Sequence, residues 1–455
     1  MKTLLSVLLA GGFALKLSAQ PATAPTNALV ISPALVNQLL AEARTNSPAI
    51  RAASARADAA TFGVAAVRTW EDPTFMVGAS AFGARGMDPA QQGDLTYGLE
   101  QKLPLWHKAD LARGEAAAEV LVQKAELDFQ SEVLRREILK GLVATALAER
   151  ITELGDEDLA NLDTLTSLLQ QRVAAGQSTG VELLLAQNEK SKRADRLKTD
   201  RAQLANERYN LNRLLNRPPQ SPWERIEFPP LAPQASGTLL MVYKQLQRDP
   251  KLNIMRLQLQ QAGAVIARTR AQRLPDVSLG VQGRQYSGDA GFREGMFTLS
   301  LNLPWGNGQK YRSDLLREEA KAKALAADIA DYELTVREET HHILAAVDAA
   351  RREALLYLDE ILPRTAQALE AARTAWSAGT GPFRDVLDAR RMLVEGRVMY
   401  AKAVAEQQQQ LAAHALHTRS AGFDKTEEPG KPAPPPRSPT PGTQPPPESK
   451  PLPKP

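Results

Sequence analysis

Few residues in this chain are spaced for chemistry, and those few point away from catalysis. Cysteine is absent from all 455 residues. That excludes a thiol nucleophile, a disulfide framework, a Cys-liganded zinc or iron–sulfur centre and an acylated N-terminal Cys. Neither HExxH nor GxxxxGK[ST] occurs. Gly78-Ala79-Ser80-Ala81-Phe82 falls one Gly short of a nucleophile elbow and lies in a strand pattern. Gly306-Asn307-Gly308 lacks the third Gly of a dinucleotide loop. His414 and His417 share a helix face, as metal ligands can. With no carboxylate or third ligand nearby in sequence they read as a solvated pair, so no metal and no cofactor is expected. The chain reads as a non-enzyme.

The most telling carboxylates follow two glycines. Gly176 and Gly379 end long helical runs, where a left-handed C′ residue is favoured. Pro382 suits the first position of the next helix. Asp385 and Asp388 then lie at i and i+3 on one face. Such a pair either complements the helix dipole or aims two charges at whatever that face lines. Thr179 to Glu182 has the T-x-x-E form of a capping box, which accounts for Glu182 with no further role.

Long helices must carry these residues. No proline occurs between Leu105 and Arg217, and good helix formers dominate that run. A second helical region runs from about Lys310 to Thr418, interrupted only by Pro363 and Pro382. Leu355, Leu358, Leu362, Thr365, Leu369, Ala372 and Trp376 keep a/d spacing, as do Leu159, Leu162, Thr166, Leu169 and Val173. That predicts a coiled-coil seam on neighbouring antiparallel helices. Pro48 and Pro73 recur as Pro250 and Pro275 at an offset of 202, Pro104 as Pro304 at 200, and Gly176 as Gly379 at 203. Landmarks kept in order at that spacing predict a duplicated structural half, far longer than a solenoid repeat. Each half reads helix, strand, strand, very long helix, turn, helix. The first helix is expected over Pro33–Trp70, and over Ser236–Arg273 in the second half. The halves span 33–217 and 236–418, joined by a proline-rich irregular connector over 218–235.

The strands alternate. Leu95, Tyr97 and Leu99, then Val277, Leu279 and Val281, then Phe297, Leu299, Leu301 and Leu303 put apolar side chains on one face and polar or small ones on the other. Each strand is about ten residues, enough to cross a bilayer at a tilt. The joining segments Gly83–Gly93 and Ser287–Arg293 suit exposed loops. Aromatics gather here; Trp70, Tyr97, Trp106 and Trp305 fit the girdle of a transmembrane barrel. Four strands cannot close a barrel, which takes about eight, so the chain must oligomerise.

The ends differ in kind. Lys2 and the apolar run Leu4–Leu15 read as a secretory signal, cleaved after about residue 19. The last segment, 424–455, reads as a solvated proline-rich tail, 13 of the 31 prolines falling between Pro429 and Pro455. Basic and acidic side chains number 56 and 52, too even a balance for a nucleic-acid binder. No later stretch is apolar enough for a helical membrane span. A periplasmic coiled-coil scaffold or adaptor without a channel of its own is the alternative, though it gives no reason to duplicate a strand pair with an apolar face.

From about Leu35 to Thr418 the chain resembles the TolC-like outer membrane factors. The NSP and RDP helix starts, Pro73 and Pro275, the LP pairs at Pro104 and Pro304, and the glycine turns before VELLLAQ and DVLDAR carry the likeness. WEDPTFMVGAS and LEQKLPLWHKADLARGEAA look most like the heavy-metal efflux branch, similar to CusC and CzcC. The resemblance implies a mainly α fold: a homotrimer with a 12-stranded β-barrel in the outer membrane of a Gram-negative bacterium, continuous with a 12-helix periplasmic tunnel. It implies outer-membrane lipid, a periplasmic adaptor and an inner-membrane pump as partners. It places Asp385 and Asp388 in a luminal ring at the tunnel entrance. The family's Tyr and Arg latch positions are occupied here by Trp376 and Gly381, and Trp376 is expected to donate its indole N–H to Glu182.

Overall fold

The computed structural model describes residues 28–79, 94–233, 247–286 and 291–418. The secretory signal, the proline-rich tail and most of the two joining loops lie outside the described residues. The chain runs β1 (Leu29–Val30), α1 (Pro33–Asn46), α2 (Pro48–Ala66), β2 (Thr74–Ala79), β3 (Asp94–Lys102), α3 (Lys108–Ala174) and α4 (Gly180–Leu214). It continues through β4 (Ile226–Glu227), α5 (Pro250–Ala271), β5 (Asp276–Tyr286), β6 (Phe292–Asn302), α6 (Gly308–Leu356), a π-turn (Tyr357–Ile361), α7 (Leu362–Ser377) and α8 (Phe383–Thr418).

Several expectations shift. The helix read over Pro33–Trp70 is two helices. Pro48 cannot follow a helical residue without a clash, so Ser47 turns extended (φ −66°, ψ 124°) and α2 restarts after it. α2 stops at Ala66, leaving Trp70 exposed beyond it. In the second half α5 begins at Pro250, capped by Asp249; residues 234–246 are outside the described set. Phe292 and Arg293, read as loop, belong to β6. The connector holds a short strand, β4, pairing in parallel with β1. It is also pinned: buried Asn212 donates to the carbonyls of Pro219 (2.9 Å) and Ser221 (3.0 Å) and accepts from the Trp223 indole (2.7 Å).

The four long strands form one antiparallel sheet in the order β2-β3-β5-β6, with one free edge on β2 and one on β6. Phe75, Leu99, Val281 and Phe297 stand in register straight across it. All four are exposed, Phe297 at 89%. The alternation is therefore real, and its apolar face is uncovered in a single chain. Among the described residues no helix is long and apolar enough to cross a membrane.

Each strand runs into a helix, so α2, α3, α5 and α6 pack side by side in the order of the strands. α3, at 67 residues, is roughly 100 Å long at ~1.5 Å per residue. Its far half packs against α4 on one side and α8 on the other, and α7 packs on α8. The largest core lies midway along the helices. Val36, Leu39 and Leu40 of α1, Ile138 and Leu142 of α3, and Leu211 and Leu215 close around Ile226 there. A second core lies at the hairpin ends.

Candidate functional site

Two hairpin tips, α3–α4 and α7–α8, end the helical region together. Both close with the same hydrogen-bond pattern. Gln177 N–H donates to Arg172 O (2.8 Å) and Gly176 N–H to Val173 O (3.0 Å); Thr380 N–H donates to Ala375 O (2.9 Å) and Gly379 N–H to Trp376 O (3.1 Å). This Schellman arrangement needs a left-handed residue at C′, and Gly176 (φ +70°) and Gly379 (φ +74°) supply it. Pro382 sits one position earlier than expected, at the N-cap of α8, where its carbonyl accepts from Asp385 N–H (3.2 Å). Gly381 lies against the turn; a Cβ there would come within 2.9 Å of the Ala375 Cβ.

The tip side chains divide into core and surface. Trp376 is buried at 8% exposure, with Phe383 tilted against it (5.3 Å between centroids) and the Arg172 guanidinium 4.6 Å over its ring. Leu162 and Leu169 of α3, Ala186 of α4, and Leu369, Val386 and Leu387 complete this core across both hairpins. The expected Trp376 bond to Glu182 is not formed. The indole is turned into the core, and the Glu182 carboxylate is used at home, accepting from Thr179 N–H (3.3 Å) while Thr179 Oγ1 accepts from Glu182 N–H (3.4 Å). The capping box read from T-x-x-E is present.

Asp385 and Asp388 share a face but not an environment. Asp385 is exposed, with no ionic partner among the described residues. Asp388 is flanked by Arg391 (3.3 Å) and Arg384 (3.8 Å). Arg391 also reaches across to α4, donating to Glu189 (3.1 Å). Burial opposes ionisation of Glu189, but hydrogen bonds from Arg391 and Lys192 outweigh it and hold that carboxyl below its usual range.

Above the tips lies an ion network that sequence spacing did not reveal. Arg390 of α8 and Asp158 of α3 form an ion pair with both side chains almost fully buried. Arg193 of α4 joins Asp158 (3.5 Å) to Asp200 (3.7 Å), which Arg196 also meets (3.3 Å). Arg193 fits because Gly155 has no side chain; a Cβ there would strike it and come within 2.9 Å of Leu197. Arg397 pairs with Glu157 (3.3 Å) on the same helix contact. Asp158 and Arg390 lie 232 positions apart, so only the packing of α8 on α3 brings them together.

The other end carries the aromatics. Trp70, Trp106 and Trp305 are exposed where strands meet helices, and Trp106 donates its indole N–H to Pro275 O (2.8 Å). Tyr97 lies nearer the loop ends, its ring over Gly283, where a Cβ would come within 3.0 Å of it. His414 and His417 are not a solvated pair. His417 is buried between Asp249 (2.8 Å), the N-cap of α5, and Glu339 (3.6 Å) of α6, both far away in sequence. No group of His, Asp and Glu suited to a metal occurs among the described residues.

Comparison with known proteins fits this geometry. The cobalt-zinc-cadmium resistance protein CzcC of Cupriavidus metallidurans is 24% identical over 276 residues, 59% of this chain; the match spans 63% of that relative's own length. The solved structure of CusC superposes with a TM-score of 0.74 at 17% identity, covering 85% of this chain and 92% of CusC. That of VceC from Vibrio cholerae gives 0.71 at 18% identity, covering 85% of this chain and 96% of VceC. Residues 39–217 and 241–418 both match the outer membrane efflux protein family. The chain belongs to that family, whose members are Gram-negative outer-membrane channels with a large periplasmic portion.

Proposed function

We propose that three copies of this chain form one conduit: a barrel of twelve strands, four from each, continuous with a periplasmic tube of twelve helices built from two duplicated halves. The conduit passes cargo outward, received from an inner-membrane pump through a periplasmic adaptor that meets the hairpin tips. One observation carries this reading. A four-stranded sheet with an uncovered apolar face and a free edge at each side is unstable alone. In lipid every backbone N–H and C=O must be paired, and only closure with neighbouring copies pairs β2 and β6. Trp70, Tyr97, Trp106 and Trp305 then lie at the bilayer boundaries.

The tube narrows at its periplasmic end, where Asp385 and Asp388 supply six carboxylates per trimer, Trp376 sets the packing of the tips behind them and Glu182 caps the start of α4. The likeness to CzcC makes divalent metal cations the first cargo to test. Two measurements on detergent-purified protein test the conduit itself. The mass corrected for detergent should be that of a trimer, and planar bilayers should show discrete conductance steps. A monodisperse monomer that leaves bilayers silent favours the scaffold alternative.

A further inference from the structure

A groove opens beside the core midway along the helices, where the last turns of α8 pass α3 and the start of α1. Its volume is about 220 Å³. Ile31, Val36, Leu139, Pro229, Ala412 and Leu416 make it mostly apolar. An apolar cavity of about 150 Å³ holds a benzene ring, so this groove has room for one aromatic side chain. Charge lies along it as well. Buried Glu132 and Arg135 stand 4.0 Å apart, and half-buried Arg136 completes the lining. Glu137 takes the Nε (3.0 Å) and Nη2 (2.9 Å) edge of Arg136. A guanidinium has five N–H donors in a planar fork, so its other edge suits a second carboxylate.

The chain leaves α8 at the rim of this groove. α8 ends at Thr418, just beyond Leu416. That end is held, because His417 sits between Asp249 and Glu339 and Thr418 Oγ1 donates to His414 O (3.1 Å). The sequence that follows, 419–455, contains one aromatic, Phe423, and no other large apolar side chain before Leu452. From Thr418 to Phe423 the chain can span roughly 17 Å when extended. The way back along α8 from Thr418 to Ala412 is about 9 Å. Phe423 therefore reaches the whole length of the groove. Residues 20–27, which lead toward Ile31 from the other end of the chain, contain no aromatic, Leu, Ile or Val.

We propose that the groove seats this chain's own segment 419–424, which turns back at Gly422 so that Phe423 fills the apolar space and Asp424 meets the open edge of Arg136. Gly422 suits the reversal because it has no Cβ to restrict the backbone. Seating the ring takes it out of water together with the apolar lining of the groove. The segment then straps the last helix of the second half to α1 and α3 of the first. The proline-rich remainder departs from midway along the helices, away from both the strands and the hairpin tips. This strap does not depend on the channel reading.

Trypsin reads the strap in the full chain purified in detergent, and the tail carries its own control. The bonds after Lys425 and Arg437 are open to trypsin, whereas Lys431, Lys450 and Lys454 each precede proline. Cleavage tracks the population of the open form when opening is fast. Phe423→Ala lies beyond α8 and leaves the helices as they are. It should speed cleavage after Lys425 by roughly tenfold or more and leave cleavage after Arg437 unchanged. An unaltered rate after Lys425 overturns the strap. Because the chain has no cysteine, Gln408→Cys with Lys425→Cys and a short bismaleimide identify what fills the groove. Gln408 lines the groove, so products of one-chain mass on a denaturing gel are expected. Products of two-chain mass would give the groove to a neighbouring copy and overturn the strap, as would the absence of any linked product.

Discussion

Arg390 on α8 and Asp158 on α3 face each other across the junction of the two hairpins, with side-chain exposures of 7% and 6%. A pair so removed from water is weak evidence for stability in itself, but breaking it strands a buried charge. Asp158→Ala, which strands Arg390, should lower unfolding free energy by about 3–5 kcal/mol; Arg390→Ala should cost less, because Arg193 still faces Asp158, and Arg390→Met with Asp158→Leu should recover most of the larger loss. Chemical denaturation of the detergent-purified protein gives the comparison. Single-variant losses below about 1 kcal/mol would mean that the pair behaves as a surface salt bridge.

The two tip aspartates should not be equivalent. Asp388 is already partly neutralised by Arg391 and Arg384, whereas Asp385 has no ionic partner among the described residues. If they ring a constriction, the uncompensated charge dominates the local field. Asp385→Asn should therefore reduce cation selectivity more than Asp388→Asn. Reversal potentials under a salt gradient rank them; unchanged potentials in both, with a loss of roughly 0.3–1 kcal/mol each, would assign the pair to the helix dipole instead.

Trp376 and Thr179 separate core from cap. Trp376→Ala empties the space between Phe383 and Arg172 and should cost about 3–5 kcal/mol. Thr179→Ala removes only the capping box of α4 and should cost about 1 kcal/mol. Thermal melts of the two variants should differ clearly, and equal shifts would contradict the packing described for the tip.

Buried His417 and half-buried His414 predict a stability maximum near neutral pH. Burial alone would lower the His417 value, but Asp249 and Glu339 outweigh it and hold the imidazole above its ordinary range. Its contribution is complete below about 6.5 and fades as pH rises through the raised value. Beside it, burial and the His417 charge push His414 down, so its contribution is present above about 6.5 and is lost as pH falls. Burial first, then Asp249, pushes the Tyr332 phenol well up, so it stays a donor to Asp249 throughout (3.3 Å). His417→Gln should flatten the alkaline limb of melting temperature against pH, and His414→Gln the acid limb. An alkaline limb unchanged in His417→Gln would locate that titration elsewhere.

Local rules were legible in the residues themselves. The glycines at C′, the T-x-x-E box and the alternation of the strands each depend on neighbours within a few positions, and each stands in the structure as spacing predicts. Proline was legible only in part. Pro48 divides the first helix, and Pro363 leaves the descending helix running but converts one turn to π, because the packing of α6–α7 on α8 supports it through the break. Tertiary structure alone decided which polar groups meet. Asp158 finds Arg390, Asp249 finds His417 and Trp376 turns from Glu182 into the core, because helices hundreds of residues apart pack side by side and each buried charge must be paired where it lies. A periodic pattern shows which face of a helix is covered, but not by what; the covering helix supplied the partner at every one of these positions.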